Sequence, residues 1–101
     1  MKTDIKLALW LLGQQKTKMD NLLNALQEHP DDDRTQFRLA EEQYLKTCNH
    51  ARMLLDTIEH ETVRMGLQLR YVNRISWTEA AALLGDENVE ARCMEFLKGV
   101  K

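Results

Sequence analysis

The side chains with the means to do chemistry are few in this chain and far apart. Cys48 and Cys93 stand 45 residues apart with no C-x-x-C pairing, which argues against a disulfide scaffold and for reduced thiols in a cytoplasm. His29, His50 and His60 show no metal spacing, and Cys48 and His50 point to different helix faces. Asp31, Asp32 and Asp33 lack the ligand pattern of a calcium loop and read as a capped turn. Cys93 falls near the start of the last helix, where the dipole favours a thiolate, but acidic neighbours oppose it. A nucleophile elbow, a phosphate loop and a paired acid in a glycine-rich setting are all missing. A chain of 101 residues also leaves little room for a substrate pocket. The expectation is a non-enzyme with no metal, no cofactor and no small-molecule substrate.

What remains is electrostatics and stacking. Arg64, Arg70 and Arg74 precede a bend, where they either contact phosphates or line a solvated helix face. Trp77 either stacks on a base or a partner, or staples a short helix to the core. The formal net charge is -2, so no global basic field draws the chain to nucleic acid or anionic lipid.

The elements that must position these residues are helical. Hydrophobic residues make up 44% and charged residues 30%, which argues against disorder, and one proline with four glycines leaves room for long helices. Leu7 to Leu12 is an apolar run too short to span a bilayer, and no small-residue cleavage site follows it. Ile5, Leu12, Met19 and Leu26 recur every seven residues, with Ala8, Gln15 and Leu22 between them, so residues 3–28 read as an amphipathic helix. His29-Pro30-Asp31-Asp32-Asp33 is the clearest break, and Asp33 with Gln36 looks like a capping pair. The second helix then carries Phe37, Tyr44, Ala51 and Ile58 at one heptad position, and Ala40, Thr47 and Leu54 at another. Matching periods and a short connection predict an antiparallel helical hairpin over residues 1–60. Two helices alone leave apolar surface open, which either dimerisation or packing on the C-terminal region would cover, and a homodimer is expected, with Leu12 and Leu54 on the apolar stripe.

Residues 61–101 have another texture. Val63, Leu67, Leu69, Tyr71 and Val72 give an apolar helix ending at Asn73-Arg74, with Gly66 either packing closely or merely tolerated. Ser76-Trp77-Thr78-Glu79 matches the capping box S-x-x-E. Ala80 to Leu84 forms a short helix, and Gly85 ends it in a left-handed turn. Asp86 to Asn88 restarts the chain, and Val89, Met94, Phe96 and Leu97 give the last helix an apolar side, with small Ala81 letting it cross closely. Helix, bend, capped short helix, glycine turn and helix follow the logic of a helix-turn-helix. The fold expected is all-α, a hairpin followed by a helix-turn-helix.

The run Leu69-Arg70-Tyr71-Val72, then Ile75-Ser76-Trp77, Glu79-Ala80-Ala81 and Leu84-Gly85, resembles the C-terminal part of ArpU-like phage and prophage transcription regulators. These are in turn similar to region four of bacterial sigma factors. The close match covers about 17 residues, and a looser one with two N-terminal helices covers most of the chain. The resemblance implies a DNA-binding regulator, with Arg70, Arg74, Asn88, Arg92 and Lys98 as DNA-contacting residues. The chain departs from the pattern after the glycine, where family members carry a serine- and arginine-rich approach. Here Asp86, Glu87, Glu90 and Glu95 face a single base, Arg92. From Glu61 to Lys101 six bases meet six acids. DNA affinity depends on neutralising phosphates, so the departure weighs on activity more than on fold. Two further readings therefore stand beside DNA binding. One is an interaction protein presenting an acidic last helix to a protein partner. The other is a purely structural dimeric module.

Overall fold

The computed structural model describes residues 2–99, so Lys101, counted among the bases above, lies outside the described residues. Five α-helices and no strand occur among the described residues: α1 (Lys2–Glu28), α2 (Thr35–Leu55), α3 (Glu61–Leu67), α4 (Trp77–Leu84) and α5 (Val89–Lys98). The molecule is elongated, with principal extents of 47 × 28 × 19 Å. α1 and α2 make the most extensive helix–helix contact. α3, α4 and α5 pack on one another beside one end of that pair.

α1 runs unbroken through Gly13, Gln15 and Lys16, where the apolar stripe thins. Ile5, Ala8, Leu9 and Leu12 are buried, each on the inward side that the heptad spacing defines. Leu12 is fully enclosed, so it belongs to the core of one chain rather than to a surface shared between two. Leu54 is half-buried against the same core.

The turn between α1 and α2 is built differently from the expected capping pair. The Asp33 carboxylate accepts from the Thr35 backbone N–H at 2.9 Å and from the Thr35 hydroxyl at 2.6 Å. Those bonds lower the Asp33 carboxyl from its ordinary value, the hydroxyl first and the amide second. Gln36 plays no part in that cap, because the local Asx-type turn captures the aspartate first. α2 ends at Leu55, earlier than its periodicity suggests. Ile58 closes a turn by donating its N–H to the Leu55 carbonyl at 3.0 Å, and its side chain stays buried. The His60 ring then caps α3, its Nδ1 accepting from the Val63 N–H at 3.4 Å.

α3 runs into one π-helical turn, Gln68–Val72. The Asn73 N–H reaches back five residues to the Gln68 carbonyl at 3.0 Å. Arg74 then adopts φ 61, and the Ile75 N–H bonds the Leu69 carbonyl at 2.9 Å. A left-handed residue bracketed by such a six-residue bond is how a helix is stopped, and glycine usually serves there. An arginine at that position stores strain of about 1–2 kcal/mol.

The core of the C-terminal part sits where α3 meets α5. A Cβ on Gly66 would lie 2.6 Å from Val89 Cγ2 and 2.8 Å from Cys93 Sγ, so only glycine permits this approach. The close crossing expected at Ala81 is therefore made at Gly66, while Ala80 is the fully buried small residue of α4 and Ala81 is half-buried. Cys93 is fully enclosed, and its thiol donates weakly to the Val63 carbonyl at 3.6 Å. Burial, with Asp86 second, pushes this thiol up to about 11, which makes it an inert core residue.

Candidate nucleic-acid interface

α4 and α5 are set by local chemistry. The Ser76 hydroxyl accepts from the Glu79 N–H at 3.2 Å, fixing the first turn of α4. Gly85 sits at φ 66, and the Asp86 N–H bonds the Ala81 carbonyl at 3.1 Å, which ends α4 and reverses the chain. The Asp86 carboxylate then accepts from the Asn88 N–H at 2.9 Å, so α5 starts from a braced turn. Together these bonds set the starts of α4 and α5 side by side. Between them lies an open depression of about 260 Å³ lined by Trp77, Thr78, Glu87, Val89 and Glu90.

The basic residues do not converge there. Arg64 donates to the Ile58 carbonyl at 3.2 Å, tying α3 to the turn that precedes it. Arg70 lies with its guanidinium carbon 5.9 Å from the Tyr71 ring centroid. Arg74 is exposed, and its charge acts on Tyr44 of α2, opposing the burial that raises that phenol. Arg92 is exposed too, but its Nε is paired with Asp86 at 2.9 Å. Asn88 is exposed at the N-cap of α5 with its side chain free of any capping role. Lys98 is exposed at the far end of α5, beside a second groove of about 680 Å³ that also holds Lys6, Tyr71, Met94 and Leu97.

Of the five residues expected at the interface, Asn88 and Arg92 are thus brought together at the start of α5. Arg70, Arg74 and Lys98 are placed elsewhere. No protein-family model matches this chain, nor does any curated protein or solved structure. The functional argument therefore rests on the geometry of the site and on the resemblance carried by residues 69–85.

Sequence reasoning left two features unseen. Thr78 is exposed at the first turn of α4 and shares the depression with Glu87 and Glu90, a proximity set by the Gly85 turn. Asp86 neutralises the one base of the turn, a pairing that the i, i+6 spacing does not advertise. Trp77 is half-buried and meets Tyr71 edge-on, with centroids 6.1 Å apart and planes at 83°. It staples α4 to the π-turn and is spent on packing. Burial raises the Tyr71 phenol, and Glu90 adds to that shift while Arg70 opposes it. Among the described residues no cluster of three histidine, cysteine or carboxylate side chains is placed to hold a metal ion, and no helix is long and apolar enough to cross a membrane.

Proposed function

We propose that this chain is a cytoplasmic phage or prophage regulatory protein that binds DNA through a sigma-region-four-like helix-turn-helix. α4, the Gly85 turn and α5 form that motif, carried on an antiparallel hairpin of α1 and α2. The observation that supports this most is the left-handed Gly85 between a serine-capped α4 and an α5 seated directly on Gly66 of α3. That arrangement fixes the start of α5 at the surface, where a recognition helix reads bases. Asn88 and Arg92 are the base readers, with Arg92 released from Asp86 on docking, and Thr78 meets the backbone. The chain acts by binding and performs no catalysis.

The acids set how this binding behaves. Glu87 and Glu90 line the surface that the duplex approaches, and Asp86 already competes for Arg92. Few phosphates can be neutralised at this face, so affinity is low and the dependence of log K on log salt is shallow. Fluorescence anisotropy on duplex DNA at low salt tests this. Arg92→Ala costs about 1–3 kcal/mol at a preferred site. Glu87→Gln with Glu90→Gln strengthens binding to any duplex. Absence of binding at low salt overturns the DNA reading.

The same two glutamates and the Asp86–Arg92 pair favour a second reading, in which α5 presents an acidic face to a basic protein partner. Under that reading the two glutamine substitutions weaken partner capture instead of strengthening DNA binding.

A further inference from the structure

Beyond Leu12 on α1 and Cys48 on α2, the two long helices project as an arm with almost no interior. Between those two positions Ala40 alone is buried. Leu22, Leu26, Phe37 and Tyr44 are half-buried, while Leu23 and Leu39 are 40% and 52% exposed. Leu11, Lys18, Leu22 and Ala25 share one side of α1 by their spacing, and Leu11 is 37% exposed. Leu22, Ala25, Leu26, Gln36 and Phe37, with Asp32 and Asp33 at its tip end, frame a shallow depression of about 150 Å³ between the helices on that side, and Leu39 neighbours Gln36 one turn further along α2.

We propose that this side of the arm is covered by a second copy of the chain, with the two arms lying antiparallel, tip against base, in a four-helix bundle. The proposal is independent of what α5 contacts. Charge selects both the occupant and the direction. The tip holds Glu28, Asp31, Asp32 and Asp33, which outweigh Arg34 and Arg38. Tip-on-tip pairing would oppose two such acidic ends. A two-fold axis crossing α1 near Leu22 instead sets Lys18 of one copy within about one helical turn of the partner arm's acidic end. Such an interface is isologous, so one patch need only complement itself.

The area is adequate. The distal sixteen residues of α1 span roughly 24 Å at 1.5 Å each, and two helices side by side are about 20 Å across. The flat projection is roughly 500 Å², and the corrugated accessible area, continued along Leu11, approaches the roughly 800 Å² per partner of a stable complex.

Sedimentation equilibrium on the full chain tests the proposal. It is expected to give a dimer at micromolar concentration, weakened about tenfold or more by Leu39→Glu. Leu39 is exposed, so an unchanged circular dichroism spectrum shows that the fold survives that change. Cysteine cross-linking tests the direction: Leu22→Cys should form disulfide-linked dimers under mild oxidation, and Asp32→Cys should not. The native Cys48 and Cys93 are buried and do not interfere. A wild-type monomer at hundreds of micromolar overturns the proposal. So does a dimer indifferent to Leu39→Glu, or cross-linking through Asp32→Cys in place of Leu22→Cys.

Discussion

Residues 13–47 and residues 63–93 are similar in length and both rich in apolar side chains, yet they bury them very differently. The first stretch encloses Ala40 alone. The second encloses Val63, Gly66, Leu67, Val72, Ala80, Val89 and Cys93. The difference lies in geometry more than in composition. Two long helices side by side share one seam, and each side chain on it has a partner in one direction only. Three short helices with sharp turns between them surround a common centre. The turns that make this possible are the costly ones, with Arg74 and Gly85 both left-handed. A region so enclosed holds the start of α5 in one place, which a binding surface needs. A region so open is free to give up its apolar side to another molecule, and its amides open locally at low cost.

The comparison is broken most directly by paired truncations. Leu67→Ala, at a fully enclosed site, should cost about 3–5 kcal/mol, whereas half-buried Leu26→Ala should cost about 1 kcal/mol at concentrations where the chain is monomeric. Urea denaturation of both variants checks this, and equal losses would contradict the contrast. Next comes Gly66→Ala. Alanine ordinarily improves a helix, but here its methyl group meets the stiff Val89 side chain and the Cys93 sulfur. A net loss of about 1–3 kcal/mol is expected from overpacking, read as a lower midpoint in the same assay.

A smaller effect appears at alkaline pH. Cys93 is raised in the fold, so its neutral form is favoured there. The stability it contributes is fully present below the ordinary thiol pKa of about 8.5, and is lost as pH rises through the folded value of about 11. Thermal unfolding should therefore fall over that window, and Cys93→Val should flatten the fall. The smallest effect has the opposite sign. Arg74→Gly relieves a left-handed arginine and should stabilise the chain by roughly 0.5 kcal/mol after the greater freedom of the unfolded glycine is allowed for. A melting curve that moves down instead would mean that the Arg74 side chain supplies more than its strain removes.

The sequence made legible what short-range chemistry decides. The Ser76 cap on the Glu79 N–H, which is the serine half of the capping box, Gly85, and the break after Glu28 are signals carried within four or five residues, and the structure places each of them where the spacing put it. Contacts across long separations were hidden. Gly66 read as either packed or tolerated, because Val89 and Cys93 lie more than twenty residues away and decide between the two. Cys93 carries no periodic mark that distinguishes it from its neighbours, yet it is the most enclosed side chain of α5 together with Val89. The end of α2 was misplaced for a related reason: Ile58 keeps its heptad position and its burial while the backbone has already left the helix. At the candidate interface the acidic excess was visible in the sequence, but the capture of Arg92 by Asp86 depends on the Gly85 turn.

The central claim is that the paired starts of α4 and α5 form the binding surface, and amide chemical-shift mapping by nuclear magnetic resonance tests it most directly. The isotope-labelled chain would be titrated with duplex DNA at low salt. The account predicts that the largest shifts fall on Trp77, Thr78 and residues 86–92, with the α1–α2 tip unmoved. Shifts confined to the arm, or to the Lys6–Lys98 groove, would contradict it.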